Sequence, residues 1–237
     1  MASTAPLIAR RAASISQRLA QASSRHDLLS HPFYLRWNAG ELSAAELARY
    51  AGEYRHLVVA LAEASEQAAR SAGQLAERGA IEADLSAELA DHACEEREHI
   101  ALWDDFLRAA SPRLGGEPLA ATRRCAAIWA GDEERSFAAT LGTLFAIEST
   151  QPRIARSKRE GLIAHYGFAD GSATAYFKLH EASDGAHAQL AARALAASLS
   201  GSGERERTAA EAQAAEAAAS ALAANWQLLD ALEAQRV

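Results

Sequence analysis

The chain has 237 residues, of which 49% are hydrophobic, and its 31 acidic and 24 basic residues give a formal net charge of −7. Alanine, the best helix former, dominates the hydrophobic fraction, so the composition predicts helices and excludes a β-rich fold. The chain has no basic block of the kind that binds nucleic acid, and no apolar run approaches the roughly 18 residues of a membrane span.

The two cysteines of the chain, Cys94 and Cys125, stand far apart and form no CxxC pair. Isolated cysteines fit a reducing compartment better than a disulfide framework. The N-terminal segment lacks a clean apolar stretch followed by a cleavage site, so it does not indicate a secretory signal. We therefore expect a cytoplasmic protein that binds neither nucleic acid nor a membrane.

Helical periodicity runs through most of the chain and predicts about seven helices. The clearest start signal is a capping box, in which Ser43 is followed three residues later by Glu46. Asp132 is expected to cap the fifth helix, and Pro152 is expected to kink it by removing one hydrogen bond. The predicted helices cover about 5–22, 43–72, 75–110 with an interruption near Gly79, 120–130, 133–165, 172–198 and 204–235.

Two segments between the predicted helices are expected to lack a long helix. Residues 31–40 indicate a short structured connection that ends in a glycine, and residues 111–118 are rich in Gly and Pro and indicate a loop. The loop is a candidate domain boundary, but each half would hold only three or four helices. We therefore predict an all-α fold, a bundle of about seven helices, as a single domain over residues 1–237.

Acidic and histidine side chains recur at helical spacing on two of the predicted helices. On the sixth helix, His180, Asp184 and His187 lie at i, i+4 and i+7, which places them on one stripe. Residues three, four and seven apart share a face on the third helix as well. The members of that second stripe are His92, Glu95, Glu96 and His99.

Glu148 stands on the fifth helix directly after a run of apolar residues. An ionised carboxylate on an apolar face is costly unless it is paired or bound to a metal. Each feature alone has an ordinary interpretation: a solvated face, a surface hydrogen-bonded trio, or a buried partner of Arg153 or Lys158. Together, three helices that carry carboxylates and imidazoles indicate a di-metal site of iron or manganese in the bundle core.

Four segments carry a family resemblance: His31-Pro-Phe-Tyr-Leu-Arg-Trp-Asn-Ala-Gly-Glu-Leu42, His99-Ile-Ala-Leu-Trp103, Glu148-Ser-Thr-Gln-Pro-Arg-Ile-Ala-Arg-Ser-Lys158 and Tyr176-Phe-Lys-Leu-His-Glu-Ala-Ser-Asp-Gly-Ala-His187. They resemble the Chlamydia protein associating with death domains and its bacterial homologues. That family belongs to the heme-oxygenase-like di-metal oxidases, whose fold is shared with thiaminase (TenA) and the pyrroloquinoline-quinone synthase (PqqC). The resemblance covers about residues 31–187.

The resemblance implies an oxidase that holds two metal ions, Fe/Fe or Fe/Mn, and takes dioxygen as its co-substrate together with an external reductant. The metal ligands that it implies are His99, Glu148, His180, Asp184 and His187.

The resemblance also implies an activity, which is the synthesis of para-aminobenzoate for folate by oxidative excision of one of the protein's own tyrosines. Tyr34 matches the tyrosine that is consumed, and Tyr50 matches a second tyrosine near the site. Lys158 matches a lysine proposed as the donor of the amino group. On this interpretation the three residues are catalytic.

The chain departs from the family pattern at two positions. His92 stands where the family has a glutamate, seven residues before the histidine that matches His99. A histidine there keeps a ligand on the same face but removes one negative charge from the site, and Glu96 or Glu95 can supply the carboxylate instead. Ile147 stands where the family can carry a tyrosine just before the glutamate ligand.

Three other functions stay open at the level of the sequence. The first is a di-metal oxidase that acts on an external small molecule, with Tyr34 only lining its pocket. The second is a metal-free enzyme similar to TenA or PqqC, and the third is a non-enzymatic interaction protein. The sequence also leaves open whether the chain forms a homodimer.

Overall fold

The protein is described by a computed structural model that covers residues 5–111 and 117–236. Eight α-helices make up most of this part of the chain, which contains no strand. The all-α prediction is therefore confirmed, whereas most of the loop predicted at 111–118 lies outside the described residues. The helices are α1 Ala5–Ser23, α2 Pro32–Ala39, α3 Ala44–Glu77, α4 Ala83–Ala110, α5 Ala120–Ala130, α6 Phe137–His165, α7 Ala175–Ser198 and α8 Glu204–Glu233.

Helix α2 replaces the short connection predicted at residues 31–40. His31 caps its start by accepting a hydrogen bond from the amide of Phe33 on Nδ1, at 3.1 Å. Pro32 occupies the first turn, where its missing N–H costs nothing, and Gly40 ends the helix at a φ of 73°. Eight residues make barely two turns, which is too short for helical periodicity to be read from the sequence.

The largest differences from the other predicted helix boundaries lie around the α3–α4 junction and at the start of α6. Helix α3 continues to Glu77, and the interruption predicted near Gly79 is a complete break before α4. Asp132 does not cap α6: the hydroxyl of Ser136 does, accepting from the amide of Ala139 at 3.2 Å. Both residue types are good caps. The Asp132 carboxylate instead accepts a hydrogen bond from the amide of Glu134, two residues later, at 3.1 Å.

The capping box predicted at the start of α3 is present in both directions. The hydroxyl of Ser43 accepts from the amide of Glu46 at 3.3 Å, and the Glu46 carboxylate accepts from the amide of Ser43 at 2.8 Å. Glu46 also forms a buried ion pair with Arg36, at 2.6 Å. The same carboxylate therefore starts α3 and attaches it to α2.

Two groups of helices pack together to form the interior. Helix α6 runs along α7 and α8, and α3 runs along α4 and α5. Contacts of α3 with α6 and of α4 with α7 join the groups. The apolar core takes side chains from all eight described helices, while the single-domain assignment for residues 1–237 stays a prediction. None of the described helices is long and apolar enough to cross a membrane.

Candidate metal centre

Helices α4, α6 and α7 bring the seven predicted metal ligands together in the interior. Six of them are 5% exposed or less, and His187 is partly buried. Their placement follows from the stripes in the sequence, because each stripe lies on the inward face of its helix. The seven are His92, Glu96 and His99 on α4, Glu148 on α6, and His180, Asp184 and His187 on α7.

The nitrogen and oxygen atoms of these side chains converge in two groups that share one carboxylate. Within each group, the candidate ligand atoms lie within 4.8 Å of one another. Glu96 belongs to both groups, so it lies between two candidate metal positions. The first group consists of His92, Glu96, Glu148 and His187, and the second of Glu96, His99 and His180.

Many of the converging atoms have no hydrogen-bond partner among the described residues. His92 Nε2 lies 2.8 Å from a Glu148 oxygen, but the geometry is not that of a hydrogen bond. Both oxygens of Glu96 and both of Glu148 are equally unpartnered. Buried carboxylates in this state are costly unless a cation compensates them. Imidazole and carboxylate donors without thiolate fit iron or manganese.

Glu96, and not Glu95, is the carboxylate of α4 that faces the site. Glu96 is 1% exposed, whereas the side chain of Glu95 is 54% exposed and touches His187 Nε2 at 3.1 Å from the outer side. His92 is also buried, against Glu148. His92 and Glu96 therefore both point into the site, and they are not alternatives for one position.

The charges in the site shift the pKa values of its members strongly in the metal-free protein. Burial raises the pKa of Glu148 to about 7, although the nearby His92 opposes this shift. Burial lowers the pKa of His92, but the charges of Glu148 and Glu96 outweigh it and raise that pKa to about 10. His92 is thus protonated at neutral pH and must lose its proton before it can bind a metal.

Asp184 lies beside the two groups and holds one of their members. Its Oδ1 is 2.7 Å from Nδ1 of His180, which leaves Nε2 of that imidazole directed at the second group. A carboxylate behind a histidine in this way fixes the ring and its tautomer. The geometry gives Asp184 an orienting role, and its predicted role as a ligand stays a prediction.

Tyr34 on α2, Tyr50 on α3 and Lys158 on α6 meet in a second buried cluster. The Tyr34 and Tyr50 hydroxyls are 3.0 Å apart, and Lys158 Nζ lies 2.5 Å from the Tyr50 hydroxyl. The same amine lies 4.8 Å from the centre of the Tyr34 ring. The structure therefore brings together the three residues that the resemblance implied.

Burial shifts the pKa of each ionisable group in this cluster towards its neutral form. It lowers the pKa of Lys158 well below its ordinary value of 10.5, which favours the uncharged amine. Burial raises the pKa of both Tyr34 and Tyr50 far above 10, so both remain phenols. An uncharged amine beside a phenol is a nucleophile and a proton acceptor at once.

Three aromatic residues between the two clusters were not assigned a role from the sequence. Tyr54 lies one helical turn after Tyr50, Trp103 one turn after His99, and Tyr176 one turn before His180. That spacing of four residues puts each ring on the same inward stripe as a predicted site residue, and it is the signal that could have identified them.

Comparisons of the sequence with known proteins find relatives over most of its length. Residues 69–223 match the family described as iron-containing redox enzyme. The chain is 32% identical to "4-aminobenzoate synthase" of Chlamydia muridarum, over 68% of this chain and 69% of that protein. It is also 32% identical to "4-aminobenzoate synthase" of Nitrosomonas europaea, over 70% and 71%.

Solved structures share the fold at low sequence identity. A TenA homologue from Pseudomonas syringae has a TM-score of 0.66 at 16% identity, covering 93% of this chain and 91% of its own. A domain with a heme-oxygenase-like fold from Shewanella denitrificans has a TM-score of 0.67 at 18% identity, covering 94% and 92%. With the sequence match over more than half of its length and this fold, the chain belongs to the family of iron-containing redox enzymes.

Proposed function

We propose that the protein is an oxygen-dependent di-metal oxidase that makes 4-aminobenzoate by excising the side chain of its own Tyr34. The observation that carries the proposal is the buried amine of Lys158, which lies 4.8 Å from the Tyr34 ring centre and 2.5 Å from the Tyr50 hydroxyl. The relatives named 4-aminobenzoate synthase support the same product.

The product defines what must happen at Tyr34. The bond between Cα and Cβ breaks, Cβ is oxidised to the carboxylate, and the phenol oxygen is replaced by nitrogen. Dioxygen with an external reductant supplies the oxidising equivalents. Lys158 Nζ forms the new bond to the ring carbon of an oxidised, quinone-like ring as the phenol oxygen leaves as water. Its own bond to Cε then breaks by hydrolysis of an imine, which leaves Cε as an aldehyde. An uncharged amine is needed for that transfer, because an ammonium group has no lone pair to offer the ring carbon.

The two groups of the candidate metal centre are suited to hold two ions. One ion would be held by His92, Glu148 and His187, and the other by His99 and His180. The carboxylate of Glu96 belongs to both groups and would serve both ions. Two irons, or one iron and one manganese, supply dioxygen activation when bound. The protein's own part is to fix the ligands, exclude water and keep Tyr34 in a dry cluster.

The state of Cys125 argues against a cysteine nucleophile of the thiaminase kind. Cys125 is fully buried, and burial raises the pKa of its thiol far above its ordinary value. Since the thiolate is the reactive form, this side chain is inert at neutral pH.

The test is a single-turnover reaction of protein loaded with Fe²⁺ and Mn²⁺, with reductant and dioxygen. The chain holds only two lysines, Lys158 and Lys178, so protein labelled with nitrogen-15 at Nζ reports the source of the amino group. We expect at most one labelled 4-aminobenzoate per chain and a loss of mass at Tyr34. Lys158→Met should abolish the labelled product, whereas Lys178→Met should retain it.

The matched control is a tyrosine outside the cluster. Tyr34→Phe is expected to yield no product, whereas Tyr166→Phe, which removes a hydroxyl that binds backbone near residues 36–42, is expected to yield as much as the parent. Product from Tyr34→Phe, or sustained turnover of an added substrate with Tyr34 intact, would disprove the proposal.

A further inference from the structure

His187 is the most exposed of the seven predicted ligands of the candidate metal centre. Its side chain is 12% exposed, whereas the side chains of His92, Glu96 and Glu148, the other members of its group, are 4% exposed or less. The second group is buried as well. An ion that comes from solution must pass an edge of this enclosed site, and among the described residues the edge at His187 is the most open.

Glu95 lies at that edge, on the outer side of His187. Its Oε2 is 3.1 Å from Nε2 of the imidazole. The other imidazole nitrogen, Nδ1, lies 3.9 Å from Oε1 of Glu96 and has no hydrogen-bond partner among the described residues. The imidazole of His187 therefore stands between an exposed carboxylate and the buried carboxylate that both groups of the metal centre share.

These three side chains form a series of metal donors that runs from the surface to the interior. Their side-chain exposure falls from 54% at Glu95 through 12% at His187 to 1% at Glu96. Carboxylate and imidazole are both suitable donors for Mn²⁺ and Fe²⁺. Because neighbouring donor atoms are no more than 3.9 Å apart, a cation can exchange one donor for the next without losing all of them at once.

The surface around Glu95 is negatively charged. Asp91 lies one turn before it and Glu98 one turn after it on the same face of α4, and both are exposed. Neither of these two has an ion-pair partner among the described residues. The neighbouring Arg97 is paired with Glu66 of α3. Clustered charges of one sign raise the local concentration of ions of the opposite sign, so cations are expected to collect here.

We propose that Glu95 is the entrance ligand of the candidate metal centre, which binds a divalent cation at the surface and transfers it to His187. This inference rests on the metal centre of the proposed function and not on the fate of Tyr34. The transfer is an exchange of ligands in which no electron moves. A bond to the Glu95 carboxylate replaces a bond to water, and a bond to the His187 imidazole then replaces the bond to Glu95. A turn of the ring about its Cβ–Cγ bond directs the cation towards Glu96, and Glu95 returns to solvent.

An entrance ligand has a kinetic signature that a ligand of the final site does not share. A residue that acts only along the route changes the rates of uptake and release by the same factor, because the affinity depends on the end states alone. Loss of a residue that stabilises the bound ion instead lowers the affinity and speeds release. The two rates together therefore identify the role of Glu95.

The experiment uses Mn²⁺ alone, without reductant, so that it follows metal transfer and not activity. Metal-free protein is mixed with Mn²⁺ in a stopped-flow instrument, and the quenching of tryptophan fluorescence reports uptake. Excess EDTA then reports release, and the paramagnetic resonance signal of free Mn²⁺ gives Kd. In Glu95→Gln we expect uptake and release both to slow by about tenfold. We expect Kd to stay within about twofold of the parent's value.

Glu98→Gln is the matched control. It removes the same charge from the same exposed face, three residues away, and Glu98 makes no hydrogen bond or ion pair with a predicted ligand. We expect it to change both rates by less than about threefold, the effect of one exposed charge. Glu95→Asp keeps the carboxylate and should recover most of the lost rate. Because Glu95 and Glu98 are both exposed, none of these substitutions disturbs the core.

Three results would refute the entrance role and leave the proposed function standing. The first is equal uptake in Glu95→Gln and the parent. The second is equal slowing in Glu95→Gln and Glu98→Gln, which a general field explains. The third is faster release with a raised Kd, since Glu95 would then be a ligand of the bound ion.

The parent protein separates the two proposals. A parent that takes up no Mn²⁺ would refute the entrance role and the metal centre together. A parent and variants that load Mn²⁺ at the expected rates, but a parent that makes no 4-aminobenzoate with metal, reductant and dioxygen, would support the entrance role and refute only the proposed function.

Discussion

The buried Lys158 shows how a single residue can set both stability and chemistry. Its pKa is lowered because its ammonium form would lose hydration inside the core, among the rings of Tyr34, Tyr50 and Tyr54. On unfolding, this side chain takes up a proton when the pH lies between its lowered folded pKa and its ordinary value of 10.5. The residue therefore costs stability at neutral pH, and that cost shrinks as the pH rises towards the unfolded pKa.

We predict that Lys158→Met raises the melting temperature of the metal-free protein by a few degrees at pH 7, since about 1 kcal/mol corresponds to roughly 2–4 °C for a chain of this size. The gain is expected to narrow towards pH 10. Thermal unfolding followed by circular dichroism measures it. The exposed Lys178, which pairs with Asp170, provides the control: Lys178→Met should show neither effect, and a Lys158→Met protein that melts lower at pH 7 contradicts the prediction.

Glu96 is the residue on which the two groups of the metal centre depend. We predict that Glu96→Gln lowers the number of ions bound per chain, because one neutral amide cannot bridge two cations as a carboxylate does. Glu95→Gln, one position away on the exposed side, should bind as many ions as the parent. Elemental analysis after loading and desalting gives the count. Full occupancy in Glu96→Gln would show that the shared carboxylate is not a ligand.

Sequence spacing alone could place the candidate ligands of α4 on one helix, but it could not decide which of their carboxylates faces the site. A stripe at spacings of three, four and seven is about as wide as half a helix, so Glu95 and Glu96 both fell within it. Which of the two faces inward depends on the rotation of α4 against α6 and α7. That rotation is set by packing across the whole interface, which a single helix does not encode.

At the scale of elements, helix α6 fits its neighbours with almost no free space. A Cβ atom added at Gly142 would lie 2.1 Å from the backbone oxygen of Ala214 on α8. The two helices therefore approach each other through a glycine, and their backbones, not flexible side chains, define the contact. Further along α6, Pro152 has no N–H to donate to the carbonyl of Glu148, four residues earlier, so one helical hydrogen bond is missing beside a candidate ligand.

We predict that Gly142→Ala destabilises the protein by about 1–3 kcal/mol or more, because α8 must move to admit the methyl group. Gly73→Ala in α3 is the control, since nothing lies within 4 Å of a Cβ at that position. The control should gain about 0.5–1 kcal/mol from better helix propensity. Urea unfolding of both variants measures the difference. A Gly142→Ala protein as stable as the parent would mean that α6 and α8 are further apart than described.

Most elements could be predicted because helix formation here is dictated by local features. Periodicity, the Ser43 capping box and the break at Gly79 all act within a few residues. Helix α2 and the start of α6 were missed for opposite reasons. Helix α2 is too short to show a helical period. The start of α6 offers two good capping residues, Asp132 and Ser136, and the packing of the folded helix determines which of them is the cap.

At the scale of the whole molecule, the interior contains a cluster of acids and imidazoles that folding alone does not satisfy. A cation that binds the folded protein and not the unfolded chain stabilises it by mass action, by about 2.7 kcal/mol at a hundredfold excess over Kd. We predict that Mn²⁺ raises the melting temperature by about 5–10 °C at such an excess. Calorimetry with and without the ion tests this, and His180→Ala should show a smaller rise.

The same stabilisation should depend on pH in a defined direction. Because the pKa of His92 is raised to about 10 in the metal-free protein, metal binding at neutral pH must displace a proton. Affinity for Mn²⁺ is therefore expected to increase from pH 6.5 to pH 8, with proton release visible as a buffer-dependent heat in titration calorimetry. Equal affinity at both values, with no proton released, would contradict the protonated state of His92.

The anchors of α2 have a consequence for the molecule after its reaction. His31 and Trp37 hold this helix to α8 and to the backbone of α6, and Arg36 holds it to α3 and α8. None of these contacts passes through the Tyr34 ring. A chain that has spent Tyr34 keeps its helix in place and acquires a hole the shape of one benzene ring. That hole would be lined by the rings of Phe33 and Tyr50 and by the polar ends of Tyr50 and Lys158. We therefore expect the exhausted protein to bind small arenes that carry a hydrogen-bonding group.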